Sequence, residues 1–104
     1  MIEKQILTKA RELLTLPEAW LKCKWEEYDD FGQPVAWCLM GAISRAANLI
    51  NPTEKYELYG VTRAHLCSVV GYPNDGGRLI DFNNDPNKTH EQVLELLDKA
   101  VKEN

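Results

Sequence analysis

A cysteine at the start of a helical pattern, two histidines and an Asn-Asp pair are the residues here that could do covalent chemistry. Cys38 opens an apolar helix, where free backbone amides and the helix dipole can lower a thiol pKa. A thiol nucleophile also needs a base, and a group that orients the base. His65 and His90 are the only two histidines, and Asn84 or Asp85 could orient either of them. Together they sketch a cysteine hydrolase or transferase. The plainer account is a buried cysteine packed under Trp37, and the surroundings favour it. His65 lies inside an apolar helical pattern, which suits a hydrogen-bonded structural role. His90 follows a helix cap and is expected at the surface. The three cysteines, Cys23, Cys38 and Cys67, are odd in number and form no C-x-x-C pair. Neither a disulfide framework nor a zinc site is signalled. Each cysteine has apolar neighbours and reads as a small buried residue. No metal and no cofactor is expected.

A second set of residues suits recognition rather than reaction. Asn83-Asn84-Asp85-Pro86 is a turn former, because Asn and Asp side chains bond nearby backbone. The same cluster could receive a ligand's hydroxyls or amines beside Cys38. Asn74-Asp75-Gly76-Gly77-Arg78 is too short for a phosphate loop and lacks its Gly-Lys-Ser/Thr ending. Arg78 and Lys88 flank this stretch and could meet an anion. Trp20, Trp25, Trp37, Tyr28, Phe31, Tyr56, Tyr59 and Tyr72 lie around a predicted hairpin and the connections. Aromatics outside the helical stripes fit a binding surface. The expected ligand-contacting set is Trp25, Tyr28, Trp37, Cys38, Arg78, Asn84 and Asp85, between the 28–37 turn and the 72–88 loop.

The elements that would position these residues follow from periodicity. Ile2, Ile6, Ala10, Leu13 and Leu14 share one face of a helix from Ile2 to Leu16, which Pro17 stops. Leu21, Cys23 and Trp25 alternate with Lys22, Lys24 and Glu26, which predicts a half-buried strand over Leu21–Tyr28. A turn at Asp29–Pro34 follows, and the strand could pair with Gln33–Ala36 or with a later segment. Ala36–Ile50 is the most apolar stretch. Cys38, Ala42, Ala46 and Leu49 form its stripe, with Ile43 and Ile50 beside it, and it reads as the central buried helix. Asn51-Pro52 ends it. A short helix over Thr53–Tyr59 is expected to end at Gly60, with Thr62 capping another helix to Val70 and Gly71-x-Pro73 closing it. Tyr72–Lys88 reads as a long irregular stretch, with Leu79–Phe82 as a short strand pairing with Leu21–Tyr28. Thr89 and Gln92 form a capping box for a last helix, His90 to Lys102.

These elements define an α+β fold. It is mostly helical, with four or five helices around the central helix 36–50 and a small two- or three-stranded antiparallel sheet. The 104 residues fit a single domain, 1–104, large enough to bury a core without staples. A net charge of −4, from 16 acids against 12 bases, argues against a nucleic-acid partner. The Glu26-Glu27-Tyr28-Asp29-Asp30 cluster reads as a solvated hairpin edge. No apolar run approaches the ~20 residues that span a bilayer, and the first residues carry no signal core. A cytoplasmic setting without membrane contact is expected, the host cytoplasm if the chain is phage-encoded.

Three pieces carry a family resemblance: Pro17-Glu18-Ala19-Trp20 after the first helix; Cys38-Leu39-Met40-Gly41-Ala42 opening the second; and Phe82-Asn83-Asn84-Asp85 followed by Thr89 and the last helix. The chain thereby resembles the bacterial and phage domain-of-unknown-function family 6197 over nearly its whole length. It departs from the family pattern at Asn83, where Trp is common, and at Lys88, where Arg is common. The resemblance implies a fold and no activity. The function expected is a non-enzymatic binding module whose partner is a host protein or a small molecule, in a phage-type counter-defence role. The competing expectations are the Cys38 hydrolase or transferase, and an oligomeric adaptor such as a homodimer.

Overall fold

The structure, a computed structural model, describes residues 2–72 and 76–102. Five α-helices and one hairpin follow in order: α1 (Ile2–Leu13), β1 (Glu26–Tyr28), β2 (Pro34–Trp37), α2 (Leu39–Ile50), α3 (Lys55–Val70), α4 (Gly76–Asn84) and α5 (His90–Lys102). The fold is α+β, as the periodicity implies. The strands pair antiparallel, with Glu26 opposite Trp37 and Glu27 opposite Ala36, and a bulge follows Glu27. Of the two pairings left open for the first strand, the adjacent one is formed. Asp29 shapes the turn, its Oδ1 accepting from the amides of Phe31 and Gln33 at 2.9 Å each.

The core is one cluster to which all five helices contribute. Ile6, Leu7, Ala10 and Leu14 bury the inner side of α1 and its last turn. Helix α2 lies at the centre, against α1, α3 and α4. Leu39, Ala42, Ile43, Ala46 and Ala47 are fully buried, and the alanines let neighbouring helices approach closely. The stripe stops short of its expected end, since Leu49 and Ile50 are exposed. The helix also starts three residues later than expected, because 34–37 is the second strand. Helix α1 ends at Leu13, short of Leu16, and Pro17–Ala19 forms a 3-10 turn.

Three expected features differ, each for a physical reason. The stretch Leu21–Trp25 is not strand; only Glu26–Tyr28 is. Cys23 adopts a left-handed φ of 62°, which breaks the extended run: the segment touches the end of β2 through Leu21 N, which donates to Trp37 O at 2.9 Å, and side-chain amides hold it beyond that. Residues 55–70 form one helix, not two. Gly60 does not end it, because a glycine inside a helix costs only ~1 kcal/mol against alanine and packing outweighs that. Thr62 is fully buried within it rather than capping it. Gly71 closes it at φ 79°, with Tyr72 N donating to Cys67 O and Gly71 N to Ser68 O, a Schellman ending. Leu79–Phe82 lies in α4, not in a strand. Its buried positions, Leu79 and Asn83, are four apart as a helix requires. One of them is polar, which hid the helical period. Pro73, Asn74 and Asp75, at the start of the expected irregular loop, lie outside the described residues. The capping box of α5 is formed: Gln92 N donates to Thr89 Oγ1 at 3.2 Å, and Thr89 N to Gln92 Oε1 at 2.9 Å.

Gly41 marks the tightest approach in the fold. A Cβ added there would lie 2.0 Å from the carbonyl oxygen of Trp25, which accepts from Cys38 N at 3.2 Å. The chain before the hairpin therefore crosses α2 where only glycine fits. Gly41→Ala is expected to lower the unfolding free energy by about 1–3 kcal/mol, as overpacking does. That loss exceeds the gain of ~1 kcal/mol in helix propensity. Urea unfolding of both proteins measures it, and a variant as stable as the parent would show that the crossing yields freely.

Candidate functional site

Trp25 stands between two cavities. The first, about 200 Å³, lies between the 23–25 segment, the start of α2 and α4, and is lined by Trp25, Cys38, Met40, Ile80, Asn83 and Asn84 among others. The second, about 350 Å³, lies between α2 and α3. Trp25, Ser44, Arg45, Asn48, Lys55 and Tyr59 contribute to its walls. The Trp25 ring is tilted against Tyr59, with centroids 6.2 Å apart, and Trp25 itself is 47% exposed.

Side-chain amides hold the wall of the first cavity. Asn83 is buried and uses all its hydrogen-bonding capacity. Its Oδ1 accepts from Trp20 Nε1 at 2.6 Å and Leu39 N at 3.0 Å. Its Nδ2 donates to Leu21 O at 2.9 Å and Asn84 Oδ1 at 3.0 Å. Asn84 Oδ1 also accepts from Cys23 N at 2.7 Å, and Lys22 Nζ donates to Asp85 O at 2.7 Å. Asp85 Oδ1 accepts from Asn87 N at 2.8 Å, the turn-forming role expected of it. The Asn-Asn-Asp cluster thus clamps the 20–25 segment onto α4.

The candidate catalytic groups are engaged elsewhere. Cys38 is buried and caps α2, its Sγ accepting from Gly41 N at 3.3 Å. Burial pushes the thiol above its usual pKa, against the opposing pull of nearby amides. That reverses the lowering expected from the helix start. His65 Nε2 pairs with Ala100 O at 3.0 Å, the structural role expected. His90 is half-buried rather than exposed, with Nε2 on Leu14 O at 2.5 Å and its ring tilted against Trp20. Neither imidazole is hydrogen bonded to Cys38. Cys23 is exposed, unlike the buried Cys38 and Cys67.

The expected ligand-contacting residues divide. Trp25, Cys38 and Asn84 meet at the first cavity. Trp37 is buried, its Nε1 donating to Glu26 Oε1 at 2.8 Å. Tyr28 is an exposed hairpin residue whose hydroxyl bonds Glu26 Oε2. Arg78 packs over the Tyr72 ring at 5.9 Å, outside both cavity linings. The α2–α3 cleft is the part that sequence reasoning missed. The signal was there: Gly41, Ser44 and Asn48 are small or polar positions at helical spacing in the most apolar stretch of the chain.

Glu26 forms the rim of the α2–α3 cleft. Besides Trp37 and Tyr28 it accepts from Arg45 Nε at 2.9 Å and Nη2 at 2.7 Å. Burial alone would raise its pKa, but the bonds from Tyr28, Arg45 and Trp37 outweigh it and hold the carboxyl below 4.5. Among the described residues, no group of three or more His, Cys, Asp or Glu side chains could hold a metal, and no helix is long and apolar enough to cross a membrane.

The family described as "Family of unknown function (DUF6197)" matches residues 3–103. The chain belongs to this family. No curated protein and no solved structure matches it. Membership carries no assigned chemistry, so the site of this family member is read from its own geometry.

Two outcomes follow from that geometry. With an aromatic disulfide reagent, Cys23 is expected to react at once in the folded protein, and Cys38 and Cys67 only on unfolding. Peptide mapping of a fast second thiol to Cys38 would contradict its burial. Glu26 has a folded pKa below its unfolded one, so its stabilisation is present above about pH 5 and is lost as the pH falls through the folded value. Glu26→Gln is expected to cost about 2 kcal/mol at neutral pH and to flatten the acid limb of the stability curve. Urea unfolding across pH 3–7 tests both parts, and an unchanged acid limb would remove Glu26 from the account.

Proposed function

We propose that this chain is a non-enzymatic binding module that holds a small molecule against Trp25. One observation carries the reading: a half-exposed indole forms a wall common to an apolar cavity and a polar one. Exposed aromatics bordering concave sites are the usual anchors of ligand recognition. The state of the reactive groups supports binding over catalysis. The Cys38 sulfur is a buried cap, and both imidazoles are committed to backbone carbonyls. In the bacterial and phage setting that the family resemblance implies, such a module would sequester a small signalling molecule as a counter-defence device. A host-protein partner is the second reading, favoured by the hairpin tip, where Phe31 is 87% exposed and Tyr28 57%.

Native mass spectrometry tests the first reading, before and after incubation with cell-lysate metabolites. A discrete added mass of small-molecule size is expected, and Trp25→Ala is expected to remove it while leaving the fold. The backbone carbonyl of Trp25, which the substitution keeps, makes the close approach to Gly41 and accepts from Cys38 N. An adduct that persists in Trp25→Ala, or no adduct, would sink the small-molecule reading. Capture of a host protein that depends on Phe31 would then support the second.

A further inference from the structure

The α2–α3 cleft contains polar groups that the fold does not use. Ser44 and Asn48 lie one turn apart on α2 and line it. Neither side chain has a hydrogen-bond partner among the described residues. Lys55, on the facing wall, has no ion-pair partner among them, and its Nζ lies 5.2 Å from the Tyr56 ring centroid. Glu26 and Arg45 neutralise each other through a 2.7 Å contact. The lining therefore has a net positive charge, in a chain whose formal charge is −4. The rings of Trp25 and Tyr59 bound the same space, and Arg63 sits over Tyr59 with its Cζ 5.9 Å from the ring centroid.

Resting on the binding-module reading, we propose that this cleft binds an adenine mononucleotide. Each part of the ligand meets an available group. A planar base stacks on an aromatic face, which is worth ~1–3 kcal/mol. The Asn48 carboxamide offers a donor and an acceptor side by side, the pattern that pairs with adenine's N6 and N7. Guanine's O6 and N7 call for an arginine fork, and the fork of Arg45 is occupied by Glu26. Lys55 supplies one point charge for one phosphate, and Ser44 supplies a hydroxyl for the ribose. The volume, about 350 Å³, falls at the small end of the ~300–1,000 Å³ range of ligand sites. That suits a mononucleotide rather than a dinucleotide.

Isothermal titration calorimetry on the full chain, with AMP, adenosine, GMP and inorganic phosphate as probes, decides it. AMP is expected to saturate one site, adenosine to bind about tenfold more weakly, and GMP and phosphate to give no saturable heat. Lys55→Gln is expected to reduce AMP affinity to the adenosine level and leave adenosine unchanged. Asn48→Leu is expected to weaken both by at least about tenfold, with urea unfolding confirming that it folds. No saturation by AMP up to millimolar concentration overturns the proposal, as does equal affinity for GMP or an AMP affinity indifferent to Lys55→Gln. A lysate adduct of another mass that is lost in Trp25→Ala but kept in both cleft variants would overturn the nucleotide assignment alone. No lysate adduct and no AMP binding would overturn both.

Discussion

The carboxamide of Asn83 fixes how the segment before the hairpin meets the helices. It is buried at the end of α4 and makes four hydrogen bonds, to Trp20, Leu21, Leu39 and Asn84. A buried polar group left unpaired costs about 1–3 kcal/mol. Removing this amide would strand an indole N–H, a backbone carbonyl and the first amide of α2 at once. An aliphatic side chain of the same volume could fill the space but could satisfy none of them. The position therefore requires an amide, and the amide in turn sets the register between α4, the start of α2 and residues 20–21.

That register propagates. With Leu21 and Cys23 held by Asn83 and Asn84, the chain turns through a left-handed Cys23. Its next carbonyls then cross α2 at Gly41. The crossing delivers Glu26 opposite Trp37 at the first pair of the hairpin, within reach of Arg45 on α2. Hairpin and helix are thus joined twice, by a backbone contact that needs glycine and by a carboxylate with four donors. While the carbonyl of Trp25 meets Gly41, its indole stays half exposed against Tyr59.

Elements whose apolar period was unbroken were legible in the sequence. The register of α1, the central place of α2 and the capping box of α5 all read directly from spacing. Misreadings fell where a tertiary contact replaces a local one. Leu21–Trp25 alternates like a strand, but a left-handed Cys23 breaks it and the amides of Asn83 and Asn84 hold it. Helix α4 was hidden because one of its inward positions is Asn83, so no apolar period shows. Gly60 looks like a stop, yet α3 continues because packing against α1 and α2 outweighs one glycine. At the site, Trp25 is legible as an aromatic outside the helical stripes, Cys38 as a thiol at a helix start, and Asn84 as part of a turn-forming cluster. Arg78 was misplaced with its loop, since as a helical residue it stacks on Tyr72. Ser44 and Asn48 on α2 are not legible as a site with Lys55 on α3, because the three become neighbours only once α2 and α3 pack.

Two sets of polar residues stand apart in this chain, and the division between them separates folding from recognition. Asn83, Asn84, Asp85, Glu26 and the Cys38 sulfur all have partners within the protein: Asn83, Asn84 and Glu26 join separate segments, and the Asp85 carboxylate and the Cys38 sulfur shape a local turn and a helix cap. Their types and spacing made them look chemical, yet a group whose hydrogen bonds are already made has little left to offer a ligand without breaking the fold. Ser44, Asn48 and Lys55 are the reverse case. They join nothing, they border a concave space walled by rings, and solvent is their alternative partner. A ligand there replaces water bonds with its own at small cost in reorganisation, which is the condition for useful affinity. Satisfied polar groups therefore mark how this protein holds its shape, and unsatisfied ones in a cleft mark where it has capacity to bind.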